Sequence, residues 1–182
     1  MDTDLVVRAQ RGDKGAYALV ATEIADRFLA VARRILRDRD LAEDATQQAL
    51  LSIWQTLPQL RDPARFEAWS YRLLVHACYA EGRRERRWAP NLRLLQLEES
   101  TIDDGLGTVA DRDQLERGFR HLSIEHRAVV VLHHYLDTPL DEIARILEIP
   151  VGTAHSRLHH AMRALRAALD ADARRTVREV TR

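Results

Sequence analysis

The spacing of apolar residues predicts helices along most of the chain. A first helical face is built from residues that recur at steps of three and four: Val20, Ile24, Phe28, Val31 and Ile35. This helix is expected to end near residues 37–40. This spacing predicts that the segment is helical.

A second helix is predicted to begin at Asp40, because Asp40 followed by Glu43 has the spacing of a capping box. Pro58 is expected to end this helix. Its inward face is predicted to consist of small and apolar residues: Ala42, Ala45, Ala49, Ile53 and Leu57.

The same helix carries a second row of residues, which is mostly polar: Asp44, Gln47, Gln48, Leu51 and Trp54. A polar row that ends in large apolar side chains favours a contact with a partner protein. An ordinary solvated face, with Leu51 and Trp54 turned toward a neighbouring helix, explains the same spacing. The pattern alone leaves both interpretations open.

A third helix follows the loop Leu60–Ala64. Its inward stripe is predicted at Phe66, Trp69, Leu73, Ala77 and Ala80. Another edge combines basic and aromatic residues: Arg65, Arg72, His76, Tyr79, Arg83 and Arg84, with Trp88 beyond them. Guanidinium groups pair with phosphates and flat rings stack on unpaired bases, so this edge suits nucleic acid. A solvated face in an arginine-rich protein is the alternative.

The second half of the chain contains a helix–turn–helix pattern. A helix over Leu122–Tyr135 precedes a short helix, for which Thr138 is the predicted N-cap and Pro139 the first residue. After the break at Ile149-Pro150, a longer helix is predicted to reach about Leu169. Ala144 is small where the two helices approach each other, although Glu148 occupies the turn where glycine is common.

The second helix of such a unit enters the major groove of DNA. Its outward residues can form hydrogen bonds with base edges and phosphates: Thr153, His155, Ser156, Arg157, His159, His160 and Arg163. A plain three-helix packing unit is the alternative.

Composition supports an all-α fold of two small domains. Hydrophobic residues make up 46% of the 182 positions, which supplies a core, and only 7 Gly and 5 Pro interrupt the helices. The net charge of zero divides into +3 for residues 1–97, −6 for 98–116 and +3 for 117–182. We therefore predict a domain at 1–88, a flexible acidic linker at 89–113, a second domain at 114–172 and a tail at 173–182.

Several functional classes are disfavoured. The single cysteine, Cys78, excludes an internal disulfide and a cysteine-based zinc finger, and it agrees with a reducing compartment. No apolar stretch is long enough to cross a membrane, so we expect a cytoplasmic protein without membrane insertion. His155 and His159 have metal-ligand spacing but lack a local third ligand. We expect no metal, no cofactor and no catalytic residues.

At this point the motifs resemble a known family, the extracytoplasmic-function (ECF) sigma factors of the bacterial sigma-70 class. Residues 28–87 resemble sigma region 2 through Leu41-Ala-Glu-Asp-Ala-Thr-Gln-Gln and Phe66-Glu-Ala-Trp-Ser-Tyr-Arg. Residues 115–169 resemble region 4 through Leu140-Asp-Glu-Ile-Ala and Ile149-Pro-Val-Gly-Thr-Ala-His-Ser-Arg-Leu. The resemblance implies a dissociable, non-catalytic subunit that directs RNA polymerase to promoters.

The resemblance also implies roles for the exposed rows. The row that starts at Asp44 matches the positions that grip the polymerase β′ clamp, and the β flap is the second expected polymerase contact. The loop and third helix match the reader of the melted minus-ten element, with Arg61, Asp62, Arg65, Trp69, Arg72, His76, Tyr79, Arg83 and Arg84 as its residues. The outward residues of the last helix match the reader of the minus-thirty-five element. Many relatives are held inactive by an anti-sigma protein, and we expect such a partner here.

The sequence departs from the family pattern at several of these positions. Gln48 is often Glu in relatives, His76 often Asn and Ala80 often Asp, while His155 and His160 are frequently Arg. A neutral imidazole lacks the fixed positive charge of arginine, so we expect weaker and more pH-sensitive binding of the minus-thirty-five element. A stand-alone helix–turn–helix regulator that does not bind polymerase is the alternative function.

Overall fold

The chain forms two compact helical units, Met1–Ser100 and Thr101–Arg182. The structure is a computed structural model that describes residues 1–88 and 118–180, with side chains for 1–87 and 118–170. All regular structure in these described residues is helical, and the predicted all-α fold with two helical domains is confirmed. The predicted acidic linker lies outside the described residues, and the domain boundaries stay predictions.

Over residues 1–88, the first unit contains four α-helices and two short 3-10 turns. The helices are α1 (Thr3–Gln10), α2 (Lys14–Leu36), α3 (Arg39–Thr56) and α4 (Phe66–Trp88), with 3-10 turns at Leu57–Gln59 and Pro63–Arg65 between α3 and α4. The second unit contains α5 (Ile124–His134), α6 (Leu140–Ile146) and α7 (Val151–Val180). Helix α7 thus continues past the predicted end at Leu169 and through residues 173–180.

The inward faces of α2 and α3 lie where the sequence predicts them. All five residues predicted for each inward face are buried, although Leu57 lies in the 3-10 turn after α3: Val20, Ile24, Phe28, Val31, Ile35, Ala42, Ala45, Ala49, Ile53 and Leu57. The alanines of α3 let α2 and α4 approach its backbone closely, which makes α3 the centre of the bundle. Burial of a side chain such as Phe28 contributes about 1.5–3 kcal/mol.

The predicted start of α3 is wrong by two residues. Asp38 is the N-cap, because its carboxylate accepts a hydrogen bond from the Leu41 amide at 2.8 Å. Asp40 instead lies in the first turn. Glu43 bonds the Arg39 side chain at 2.9 Å and lies 3.5 Å from Arg33.

The predicted inward stripe of α4 is only partly correct. Phe66 and Ala77 are buried, but Trp69 and Leu73 are half-buried and Ala80 is exposed. The buried face runs instead through Ser70, Tyr71, Leu74, Val75 and Cys78. The helix therefore turns its Ser70–Leu74–Cys78 side toward α3 and leaves the Trp69–Ala80 side partly open.

Burial of Cys78 predicts a thiol that does not react in the folded protein. Its surroundings raise the pKa of the Cys78 thiol to about 12, because the thiolate would lose its hydration. The thiolate is the reactive form, so modification by Ellman's reagent at pH 8 should be at least about 100-fold slower in the native chain than in denaturant. Equal rates in the two states would contradict this assignment.

The second unit packs α5 and α6 against α7. Leu122, Val130, Ala161 and Leu165 form one cluster of its core, and Ala144 is buried where α6 approaches α7. Helix α5 begins at Ile124 because the Ser123 hydroxyl caps it by accepting from the His126 amide at 3.3 Å. Helix α6 begins at Leu140, so Pro139 and not the predicted Thr138 is its N-cap.

The turn between α6 and α7 is a Schellman motif with a glutamate at its left-handed position. The Ile149 amide donates to the Ala144 carbonyl at 3.0 Å and the Glu148 amide donates to the Arg145 carbonyl at 3.3 Å. Glu148 has a φ of 53°, a conformation in which a Cβ is strained and glycine is not.

We expect Glu148→Gly to raise the stability of the second unit by about 1 kcal/mol, because it removes this strain. Thermal or urea unfolding of the full chain measures the change. Glu148→Ala is the matched control, since it removes the same side-chain contacts but keeps the Cβ. If both variants shift stability equally, the effect belongs to the side chain and not to the backbone.

Candidate polymerase and nucleic-acid interface

The predicted partner row on α3 is exposed over most of its length. We call Asp44, Gln47, Gln48, Leu51 and Trp54 the α3 face. Its three polar residues are exposed, and Leu51 keeps 55% of its surface in solvent. A carboxylate, two amides and an uncovered leucine on one helix face fit a protein contact that combines hydrogen bonds with an apolar anchor.

Trp54 differs from the rest of the α3 face, because it packs against the unit itself. Its ring lies 4.7 Å from the Tyr17 ring between centroids, and the Tyr17 hydroxyl donates to the Leu50 carbonyl at 2.5 Å. Burial raises the pKa of Tyr17. The interpretation that turns Leu51 and Trp54 toward a neighbouring helix therefore fits half-buried Trp54 but does not fit exposed Leu51.

The segment between α3 and α4 is organised by Asp62. Its carboxylate accepts from the Ala64 amide at 3.1 Å and lies 3.4 Å from the Arg65 guanidinium, so it caps the Pro63–Arg65 turn. Arg61, Asp62 and Arg65 are all exposed. Asp62 therefore shapes the loop that presents the two arginines.

Helix α4 continues this positive surface. We define the α4 face as Arg61, Asp62, Arg65, Trp69, Arg72, His76, Tyr79, Arg83 and Arg84. His76, Arg83 and Arg84 are exposed, whereas Trp69, Arg72 and Tyr79 are half-buried. Trp69 packs near Phe66 with 6.0 Å between ring centroids, and Arg84 lies 3.4 Å from Glu81. The edge thus offers cations at both ends and partly covered rings between them.

The segment between α3 and α4 is also held by Gln10 of α1, a residue that the sequence analysis missed. The Gln10 side-chain amide donates to the Leu60 carbonyl at 2.7 Å and to the Leu57 carbonyl at 3.1 Å. These hydrogen bonds join residues about fifty positions apart, so no local sequence pattern predicts them.

The residues predicted to read the minus-thirty-five element all lie on α7, and most of them are exposed. The α7 face consists of Thr153, His155, Ser156, Arg157, His159, His160 and Arg163. Five of these side chains are exposed, while Thr153 and Arg157 are half-buried. The rings of His159 and His160 lie 5.9 Å apart between centroids. The face begins at the first turn of α7, the part of a recognition helix that contacts base edges.

His126 on α5 adds a titratable group beside this face. Its Nδ1 lies 3.1 Å from the Ser123 hydroxyl. Burial lowers the pKa of His126, and the positive charge of Arg157 lowers it further. The nearby His160 also lowers the pKa of His126, while the negative charge of Glu125 raises it. The neutral form of His126 is therefore favoured in the folded chain, a tertiary effect that sequence spacing does not show.

The lowered pKa of His126 predicts a loss of stability in acid. The folded chain binds fewer protons than the unfolded chain, so this contribution is complete above the ordinary value of 6.5 and is lost as the pH falls through the lowered folded value. Between about pH 7 and about pH 5, His126→Gln should lose less stability than the wild type in thermal unfolding. His134→Gln, at an exposed position of the same helix, should follow the wild-type pH dependence.

The described residues contain no helix long and apolar enough to cross a membrane. In the same part of the chain, no group of three or more His, Cys, Asp or Glu side chains is placed to hold a metal ion.

Comparisons with known proteins match both units. The family model described as Sigma-70 region 2 matches residues 21–88, and the model described as Sigma-70, region 4 matches residues 112–165. The ECF RNA polymerase sigma factor SigL of Mycobacterium tuberculosis is 33% identical, over 87% of this chain and 93% of its own length. The RNA polymerase sigma-H factor of Pseudomonas aeruginosa is 29% identical, over 92% and 93%.

A solved structure shares the fold. The sigma factor RpoE from Bartonella quintana, determined in complex with the anti-sigma factor NepR, is 21% identical and gives a TM-score of 0.70 over 86% of this chain and 98% of that chain. The relatives named above are RNA polymerase sigma factors by name, and the match to region 2 precedes the match to region 4 along the chain. The chain belongs to the ECF RNA polymerase sigma factors of the sigma-70 family.

Proposed function

We propose that this sigma factor divides promoter-directed initiation among its three exposed faces. The α3 face binds core RNA polymerase, the α4 face binds the melted minus-ten element, and the α7 face binds the minus-thirty-five element. The observation that carries the proposal is the presence of one exposed, chemically suitable face in each matched position: a polar row with an uncovered leucine, a basic aromatic edge and an open recognition helix.

The α3 face suits the polymerase β′ clamp. Asp44 can accept charge-assisted hydrogen bonds from arginines of a partner, and Gln47 and Gln48 can both donate and accept. Leu51 supplies apolar area that the bundle leaves uncovered. Trp54, the half-buried residue of this face, packs against Tyr17 and so joins the face to the bundle. The second unit is proposed to meet the β flap.

The α4 face suits opened DNA. Arg61, Arg65 and Arg83 are exposed cations that can follow a phosphate backbone. Trp69 and Tyr79 expose part of their rings between those cations, where an unstacked base can pack. A base can be read on its pairing edge only after it leaves the stack, and this costs least in DNA that is already open. His76 is exposed at the middle of α4, where its ring nitrogens can reach such an edge.

The α7 face suits duplex DNA. Its hydroxyl, imidazole and guanidinium groups are the donors and acceptors that read base edges and phosphates in the major groove. The chain has no enzymatic step in this scheme, because polymerase supplies the catalysis. Its place of action is the cytoplasm, where polymerase and promoters are found.

An anti-sigma protein is the proposed regulator. The sigma factor RpoE, which has the same fold, was solved in complex with the anti-sigma factor NepR. CnrH, which also shares the fold, was solved in complex with the cytosolic domain of CnrY. An inhibitor that covers the α3 face would block binding of polymerase without touching DNA.

Mapping of transcription start sites tests the function. Core polymerase from a GC-rich bacterium is incubated with genomic DNA fragments of that host, with and without the protein. We expect new start sites that appear only with the protein and that share two elements at a fixed spacing. Sequence-specific binding of duplex DNA by the protein alone, with no new start sites, would instead establish a stand-alone helix–turn–helix regulator.

A further inference from the structure

The side chain of Gln10 joins α1 to the segment that precedes α4. Its amide nitrogen donates to the carbonyls of Leu57 and Leu60, at 3.1 and 2.7 Å. A glutamine amide has two N–H donors, and two acceptors are supplied here. The two carbonyls bracket the Leu57–Gln59 turn, so Gln10 fixes both ends of that turn at once.

These carbonyls stand at the entrance to the loop Leu60–Ala64. Leu57, the first residue after α3, is completely buried. Leu60 is half-buried, and the next two residues, Arg61 and Asp62, are exposed. The Leu60 carbonyl is therefore the last point at which the bundle holds the chain before the α4 face begins. Helix α1 also packs against both 3-10 turns.

Side-chain contacts hold the corner between α1 and α2, beside which Gln10 lies. The Arg8 guanidinium bonds the Asp13 carboxylate at 2.7 Å, and Asp13 caps α2 by accepting from the Ala16 amide at 2.9 Å. Val6 and Ala9 are buried against the bundle. These contacts hold the corner between α1 and α2, next to which the Gln10 side chain extends.

Helix α1 lies outside the part of the chain that matches the family model of region 2, which begins at residue 21. We propose that Gln10 is a positioning residue for minus-ten recognition, which holds the Leu60–Ala64 loop in the conformation that reads the opened DNA. This inference rests on the proposed function of the α4 face.

The chemistry of the contact makes specific demands on position 10. Both acceptors are carbonyls, so the side chain must supply donors. Gln10→Met keeps the length and most of the volume but has no donor. Gln10→Glu also keeps the length, and its carboxylate would face two carbonyl oxygens without a proton to share. Gln10→Lys supplies donors on a flexible stem and can bond both carbonyls.

The test measures base discrimination by the assembled holoenzyme. Core polymerase carrying each variant is titrated with fork-junction DNA whose minus-ten non-template strand is single-stranded, taken from a mapped promoter. Discrimination is the ratio of affinities for the natural minus-ten sequence and for a set of single-base substitutions. Loss of two neutral hydrogen bonds that hold the loop should lower this ratio about tenfold in Gln10→Met and Gln10→Glu.

Gln10→Lys should retain most of the wild-type ratio, although its added charge can raise all affinities together. Gln59→Met is the matched control, since it makes the same substitution at an exposed residue of the bracketed turn and should leave the ratio unchanged. Affinity for core polymerase and for minus-thirty-five duplex DNA should not change in any of these variants.

Two results would overturn the role of Gln10. One is a wild-type ratio in folded Gln10→Met and Gln10→Glu. The other is an equal fall of every affinity together with thermal stability, which indicates structural support of the bundle only. A different result bears on the function itself: if wild-type holoenzyme shows no discrimination at the minus-ten bases, the α4 face is not the reader, and the role of Gln10 falls with it.

Discussion

The double substitution Asp44→Arg and Gln47→Arg is expected to abolish co-elution of the chain with core RNA polymerase. Both residues are exposed on the α3 face, so the substitutions leave the buried side of α3 intact. A partner surface that complements Asp44 is basic, and two new guanidinium groups would oppose it. Like charges in an interface cost several kcal/mol, so the affinity should fall by at least about 100-fold.

Size-exclusion chromatography and a titration of labelled protein with core polymerase measure this loss. Glu23→Arg with Asp26→Arg is the matched control, because it puts two arginines at the same spacing on exposed positions of α2. The control should co-elute as the wild type does. If the α3 variant remains folded and still co-elutes, the α3 face does not bind polymerase.

The residues that share the α3 row could be predicted from the sequence, but the difference in burial between Leu51 and Trp54 could not. Helical spacing identifies which residues share a face, and Asp44, Gln47, Gln48 and Leu51 do share one. The depth of each residue depends on what packs beside it. Trp54 is covered because Tyr17 of α2 reaches it, whereas no described helix covers Leu51.

Helix ends were harder to predict than helix faces, for a local reason. Asp38 and Asp40 are both good N-cap residues, and only Asp40 has a glutamate three positions later. The structure selects Asp38 because α2 ends at Leu36 with Arg37 in the left-handed conformation, which places the Asp38 carboxylate over the Leu41 amide. That choice depends on how the preceding helix ends.

The stripe of α4 was misplaced because its sequence is apolar on more than one side. Trp69, Leu73 and Ala80 have the correct spacing for an inward face, and so do Ser70, Leu74 and Cys78. Packing against alanine-rich α3 favours the side with the smaller residues, since helices approach closely there. The larger Trp69 then remains partly open, where the α4 face is proposed to stack a base.

The tertiary contacts of Gln10 and His126 are of a kind that sequence reasoning does not find. Gln10 acts through carbonyls about fifty positions away, and any backbone segment has carbonyls. His126 is marked only by its tertiary neighbours, above all the burial of its ring and the charge of Arg157. Neither residue has a local motif, so only the assembled fold identifies them.

The double substitution His155→Arg and His160→Arg is expected to strengthen binding of the minus-thirty-five element and to reduce its pH dependence. Both imidazoles are exposed on the α7 face. Imidazole gains a positive charge and a second donor only when protonated, while arginine has both at every pH used. The groups around this face include Arg157, Arg163, His159 and, from α5, His126 and Glu125.

Wild-type holoenzyme should therefore bind a duplex with the minus-thirty-five element more tightly at about pH 6 than at about pH 8, and the double variant should bind almost equally at both. At about pH 8 the variant should gain roughly 10- to 100-fold in affinity at low salt, because two added phosphate contacts also steepen the salt dependence by nearly two units. Fluorescence anisotropy at both pH values and several salt concentrations measures these changes.

His121→Arg with His134→Arg is the matched control, since it adds the same charge to exposed positions of the second unit outside the α7 face. A gain confined to the α7 variant assigns the effect to contacts at the element. An equal gain in the control would mean that net charge alone drives it. Wild-type affinity that does not change with pH would show that neither imidazole binds DNA through its protonated form. The expected pH dependence of minus-thirty-five binding would then be wrong.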